Sequence, residues 1–225
     1  MKKFILFSLV IMLGLTSCEI YRFNYDIVLD NVERIDKGFN DKCPKVFYDK
    51  HYEDKNIKAT LTIDSLTKGI NVMIANNTQY PIKVNYNDIT FSDTNNKNYR
   101  MMSKNLSYDE KNSYHQSMII LKDSHIHDEF TPVNNFIGIN KISTNIYGYR
   151  TTAISKIFTN ILPIDLDKSS QCLEKRRKNA LDNNRKNYVG SKIKMYIPIE
   201  IDGITNEYLF IFKVKNVILQ KYDNR

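Results

Sequence analysis

Lys192-Ile193-Lys194-Met195-Tyr196-Ile197-Pro198-Ile199-Glu200-Ile201-Asp202-Gly203 alternates with a period of two and then turns. Ile193, Met195, Ile197, Ile199 and Ile201 share one side, and Lys192, Lys194, Tyr196, Pro198 and Glu200 share the other. Side chains two apart lie on the same face of an extended chain, so this is a strand with one dry face. Asp202-Gly203 tolerates the positive φ of a tight hairpin turn, and Tyr208 to Val214 returns as a strongly apolar strand. Val217 and Leu219 lie beyond it. Pro198 has no N–H to give a ladder, which predicts that its strand is an edge or carries a bulge.

The same period governs the chain from residue 57. Ala59, Leu61 and Ile63 alternate with polar neighbours, as do Ile70, Val72 and Ile74, then Ile82, Val84 and Tyr86. Turn residues at Asp64-Ser65, Lys68-Gly69 and Asn76-Asn77-Thr78 separate these runs, which predicts a meander or part of a Greek key. Ile89 and Phe91 continue the third run after a bulge. Residues 93–113 read as a long polar loop with a short strand at Tyr99–Met102, and a strand follows at Met118–Leu121. Phe130 to Ile139 has no resolvable period, residues 134–156 read as a second loop, and Ile157–Leu162 is a further apolar run. Asp165 to Asn187 is the candidate helix, with Leu166, Leu173 and Ala180 seven apart. The pattern predicts an all-β fold, an antiparallel two-layer sandwich with a short helical insert.

A resemblance supports that architecture. Ile74-Ala75-Asn76-Asn77-Thr78-Gln79-Tyr80-Pro81-Ile82-Lys83-Val84-Asn85-Tyr86 resembles the strand, Asn-x-Thr turn and Pro-Ile strand hairpin of immunoglobulin-like sandwich domains in small bacterial lipoproteins. It implies an immunoglobulin-like fold in the cell envelope and brings no catalytic residues with it.

The N-terminus points to the same place. Lys2 and Lys3 precede an uncharged apolar core, Phe4 to Leu15, and then Thr16, Ser17 and Cys18. A positive end, a short apolar core and small residues are the parts of an export signal, and the core is shorter than the roughly 20 residues of a membrane span. Leu15-Thr16-Ser17-Cys18 is similar to the bacterial lipobox. That resemblance implies cleavage after residue 17, acylation of Cys18 and attachment to membrane lipid. Several acyl chains make an anchor effectively permanent, where one holds only weakly. Glu19, in place of the Asp that marks inner-membrane retention in this class, favours the outer membrane, on its periplasmic or surface face. The expected organisation is a signal peptide at 1–17, a lipidated Cys and tether or N-terminal strand at 18–56, and a β-sandwich domain at 57–225. Fully extended, the tether would reach more than about 100 Å, although its aromatic residues suggest that part of it packs on the domain.

Composition narrows the partners. The formal charge of +8 loses Lys2 and Lys3 on cleavage and becomes +6, dispersed along the chain. The one dense basic cluster, Lys175-Arg176-Arg177-Lys178 with Arg185-Lys186, contains no aromatic residue for stacking on bases. No nucleic-acid partner is expected. A solvated helix or loop is the plain reading of that cluster, and contact with anionic headgroups or glycans is the alternative. Cys43 and Cys172 are the two remaining cysteines, candidates for a disulfide in an oxidising compartment. A bridge between them would close a loop of more than about 100 residues, worth about 4–5 kcal/mol in the chain-entropy account.

Catalytic patterns are sparse. His125-Ile126-His127 with Asp128 and Glu129 is the best metal-ligating cluster, because alternate residues of a strand point both imidazoles one way. It supports a metal-dependent hydrolase only as an alternative. Gly-x-Ser-x-Gly and glycine-rich phosphate loops are both missing from the sequence, and only 7 Gly are present. Asp26, Asp30, Glu33 and Asp36 have the spacing of a solvated surface. Tyr108, Tyr147 and Tyr149 are candidate platforms for a sugar or a protein. The sequence therefore predicts a lipid-anchored, non-catalytic binding or accessory protein with no cofactor and a protein or glycan partner. A structural subunit of an envelope complex is the remaining alternative.

Overall fold

The computed structural model describes residues 20–35, 46–47, 50–64, 69–105, 114–133, 136–144, 150–158 and 174–222. Fourteen strands and one α-helix follow in chain order. They are β1 (Ile20–Arg34), β2 (Val46–Phe47), β3 (His51–Glu53), β4 (Ile57–Asp64), β5 (Gly69–Asn76), β6 (Ile82–Val84) and β7 (Thr90–Ser92). After them come β8 (Asn98–Ser103), β9 (Met118–Ile120), β10 (His125–Pro132), β11 (Phe136–Thr144), β12 (Arg150–Phe158), α1 (Glu174–Tyr188), β13 (Lys192–Ile201) and β14 (Ile204–Tyr222). Twelve strands form one antiparallel sheet in the order β1-β14-β13-β7-β8-β10-β5-β4-β3-β2, with β6 and β9 added on the β13 flank. The β7–β8 hairpin is the corner at which the sheet folds over, so that β3 and β4 lie against β1 and β14. Tyr52 on β3 meets Tyr208 and Phe210 on β14 edge-on, each at 5.9 Å between centroids. β11 and β12 form a separate two-stranded sheet. The expected all-β antiparallel sandwich with one short helix is the architecture found.

The β13–β14 hairpin behaves as its alternation dictates. Ile193, Met195, Ile197 and Ile199 are fully buried, and the turn places Asp202 at φ 49° and Gly203 at φ 76°. β13 is not an edge, however. It pairs β14 along its whole length with no register shift, and its other flank carries β7 at residues 194–196 and β6 at 199–201. Pro198 sits in the gap between those two partners, so it interrupts no ladder on that flank. A 3₁₀ turn, Tyr86–Asp88, fills the gap where the sequence suggested a bulge.

The meander reading holds only for β4 and β5, which pair directly. β6 pairs β13 and β9 instead of β5, so Asn76 to Pro81 is a crossover between layers and the hairpin expected there does not form. Asn76 explains the crossover. Its buried amide donates to Tyr80 O at 2.7 Å and Ile120 O at 3.0 Å, while its oxygen accepts from Thr78 N and Thr78 Oγ1 at 2.8 Å. Those bonds satisfy the backbone of the departing chain, which β5 would otherwise have paired. Residues 136–144 and 150–158 pair as β11 and β12, which replaces most of the loop read at 134–156.

Residues 20–34 are a strand and not a tether. β1 buries Phe23, Tyr25, Ile27, Leu29 and Val32 and pairs β14 from Ile20↔Tyr222 to Arg34↔Tyr208. Of its two register shifts, the one at Asp26/Ile27 takes its extra residue, Lys215, from β14, and the one at Leu29/Asn31 takes Asp30 from β1 and breaks the alternation there. The reach of more than about 100 Å expected of an extended chain is therefore not available. α1 packs on the free half of this ribbon. Tyr25 Oη donates to Asn184 Oδ1 at 3.3 Å, Tyr25 and Tyr188 meet edge-on at 5.7 Å, and Arg185 Nε donates to Val217 O at 3.0 Å. Gly190, at φ +87°, ends the helix in the left-handed conformation that favours glycine. Among the described residues no helix is long and apolar enough to cross a membrane.

Candidate binding groove

Four connections converge at the pole where β1 ends: the turn after β3, the β5–β6 crossover, the β13–β14 hairpin and the end of β1 itself. Between them lies an open groove of about 800 Å³ lined by residues 34, 55–56, 77–80, 201–202 and 204–207. That volume falls in the range of small-molecule and oligomer-unit sites.

Beneath the lining residues Arg34, Asn56 and Asn206 lies a floor network centred on Asp54, which does not itself line the groove; its side chain is 6% exposed and faces the 8% exposed Arg34 at 4.0 Å. Asp54 Oδ1 accepts from Asn56 N and Ile57 N at 2.8 Å, and Oδ2 accepts from Tyr52 Oη at 3.0 Å and Tyr208 Oη at 3.1 Å. Arg34 Nη2 donates to Asn206 Oδ1 at 2.6 Å, and its guanidinium lies 5.4 Å from the centre of the Tyr208 ring. Asn56 Nδ2 bridges Asn206 Oδ1 and Tyr208 Oη at 3.3 Å each. The floor is thus rigid and electrically balanced. The carboxylate accepts four hydrogen bonds, two to each oxygen.

The walls are polar and mostly uncharged. Asn77 donates to Asp54 O at 3.1 Å, and the exposed Gln79 and Thr205 stand at the rim. Tyr80, 54% exposed, and Ile204, 69% exposed, also line the groove. Amides and hydroxyls beside an exposed ring and an aliphatic side chain suit a ligand with hydroxyl edges and an apolar face. Lys55, Asp202 and Glu207 add both signs of charge.

Burial pushes the Tyr208 phenol up, the Asp54 carboxylate adds to it, and Asn56 and Arg34 oppose it. Burial and then Asp128 raise Tyr86 in the same way. Both therefore remain protonated donors in the folded state. Their stabilisation is complete below the unfolded tyrosine value of about 10 and is lost as pH rises above it. The urea midpoint is expected to fall between about pH 8 and about pH 11, and less steeply in the Tyr208→Phe, Tyr86→Phe double variant. An equal fall in both proteins would exclude these phenols as the cause.

The residues singled out in the sequence fall elsewhere. His125 and His127 are both exposed on β10, opposite Ala75 and Met73 of β5. Among the described residues no group of three or more His, Cys, Asp or Glu is placed to hold a metal ion. Asp26, Asp30 and Glu33 are exposed on β1. Cys18, Cys43, Cys172, Asp36, Tyr108, Tyr147 and Tyr149 lie outside the described residues. The groove was not anticipated, because Arg34, Asp54, Tyr80 and Asn206 are far apart in sequence and join only when the layers close. Tyr80-Pro81 directly after an Asn-x-Thr turn was the one local sign of a presented ring. No protein family, curated protein or solved structure matches this chain.

Proposed function

We propose that this chain is a lipid-anchored, non-catalytic binding protein of the bacterial cell envelope that presents the polar groove to a neutral glycan. Acylated Cys18 is the anchor, and an outer-membrane position is part of the reading. The observation that carries it is the placement of the groove. Ile20, two residues from Cys18, and Arg34, in the groove, are the two ends of one strand of 15 residues. At about 3.3 Å per residue they stand roughly 45 Å apart. The lipid end and the ligand end are thus opposite poles.

The ligand class follows from the walls, where charge is either neutralised in the floor or mixed at the rim. A purified-protein screen of neutral envelope oligosaccharides tests it. Retained glycan is expected to bind Tyr80→Ala about tenfold or more weakly, the loss typical of a central ring contact. Retention of none, or equal binding by the variant, would contradict the proposal. A second reading, a subunit of an envelope complex, draws on β9. Among the described residues that strand pairs β6 alone, and Met118 and Ile119 on it and Leu121 just after it are 41%, 60% and 62% exposed. Such an edge accepts an added strand, and a stoichiometric neighbour crosslinked at Ile119 in cells would favour it over glycan binding.

A further inference from the structure

We propose that the exposed basic side of α1 rests on anionic lipid headgroups, docking the anchored domain with its groove turned away from the bilayer. This rests on the lipid-anchor reading, and three observations carry it beyond that reading.

The first is the shortness of the connection. β1 begins at Ile20, so Glu19 alone separates Cys18 from the sheet. Two residue steps span at most about 7 Å. An acylated Cys18 therefore leaves the domain seated at the membrane surface, with freedom to tilt but not to leave it. The second is the attachment of α1 to that same pole. Its last turn is fixed to the Tyr25↔Val217 pair of the ribbon, five register rows from Ile20↔Tyr222. Five rows are about 17 Å. The third is charge. α1 carries six basic residues against two acidic ones. Lys178, Arg185 and Lys186 are exposed, Asp182 is exposed among them, and Ala180, Leu181 and Tyr188 pack against the core. The apolar side of the helix is spent on the sheet, and Lys178, Arg185 and Lys186 remain at the surface.

Anionic headgroups attract such a segment over roughly a Debye length, 8–10 Å at ordinary ionic strength. The anchor makes that encounter intramolecular, so even a modest attraction is populated. Among the described residues that line the groove at the far pole, the basic Arg34 and Lys55 stand with the acidic Asp202 and Glu207, so the charge there is mixed. Headgroup attraction therefore favours one tilt, with α1 down and the groove away from the surface.

Lysine labelling of the full, lipidated protein reconstituted into vesicles tests this. One set of vesicles is phosphatidylcholine alone and the other contains phosphatidylglycerol as well. Lys178 and Lys186 are expected to label several-fold more slowly in the anionic vesicles, with the difference removed by high salt, while Lys55 labels equally in both. Flotation of the protein with both vesicle types together with equal labelling of Lys178 and Lys186 would overturn the docking and leave the anchor standing. Failure to float with either would overturn the anchor and the docking with it.

Discussion

Asp54→Ala is expected to cost about 3–5 kcal/mol, the loss typical of stripping one partner from a buried ion pair. The side chain accepts from two backbone N–H groups and two tyrosine hydroxyls and faces Arg34, all within a few ångströms. Removing it takes a carboxylate from beside the buried guanidinium of Arg34, which lies over the ring of Tyr208. Two backbone donors at the start of β4 and two phenols are left short of an acceptor, and a buried donor without a partner costs about 1–3 kcal/mol. These losses overlap, so the ion-pair figure is the better guide to the total. Asp54→Asn keeps the shape and some of the acceptors and is expected to cost clearly less. Urea unfolding of the two variants beside the parent checks the ranking. A loss below about 1 kcal/mol for Asp54→Ala would mean that the floor of the groove is not organised by this carboxylate. The same variant should weaken glycan retention, since Asn56 and Asn206 are oriented through the network.

The second large effect concerns the anchor. Under the proposed lipid anchor, Cys18→Ser is expected to move the protein from the membrane fraction to the soluble fraction, because the thiol proposed to take the lipid is gone. Each buried methylene of an acyl chain is worth about 0.8 kcal/mol, so several chains hold far more strongly than any surface contact of the domain. The basic helix alone should not retain the variant at physiological salt, where exposed charges are screened over about 8 Å. Retention of Cys18→Ser on washed membranes would show that another element binds there.

Much of the fold was legible because period two survives wherever a strand has one buried face and regular pairing. β4, β5 and β13 meet that condition, and their burial follows the alternation except near the strand ends and at Pro198, which is buried on the opposite face. β1 does not. Phe23, Tyr25, Ile27 and Leu29 alternate inward, but Val28 between them is buried as well and the bulge at Asp30 moves the inward position to Val32, so the alternation fails in the second half of a strand of 15 residues. Pro198 was misleading for a related reason. The rule that proline avoids central strands concerns ladder bonds, and here one flank is interrupted where β7 gives way to β6. Local pattern also could not distinguish a hairpin from a crossover at Asn76 to Pro81, since both need turn residues. The outcome depends on Asn76 meeting Ile120 O, a partner 44 positions away. The groove lay beyond reach for the same reason, being assembled from four segments that no spacing links.

Whether Cys18 is the acylated first residue of the mature protein decides between an anchored and an unanchored domain. Intact-mass and N-terminal peptide mass spectrometry of protein extracted from its native membranes measures this directly. A chain lacking residues 1–17, with the mass of attached acyl groups on Cys18, is the expected result. A membrane-extracted chain that retains those residues, or that carries an unmodified Cys18 thiol, would contradict it.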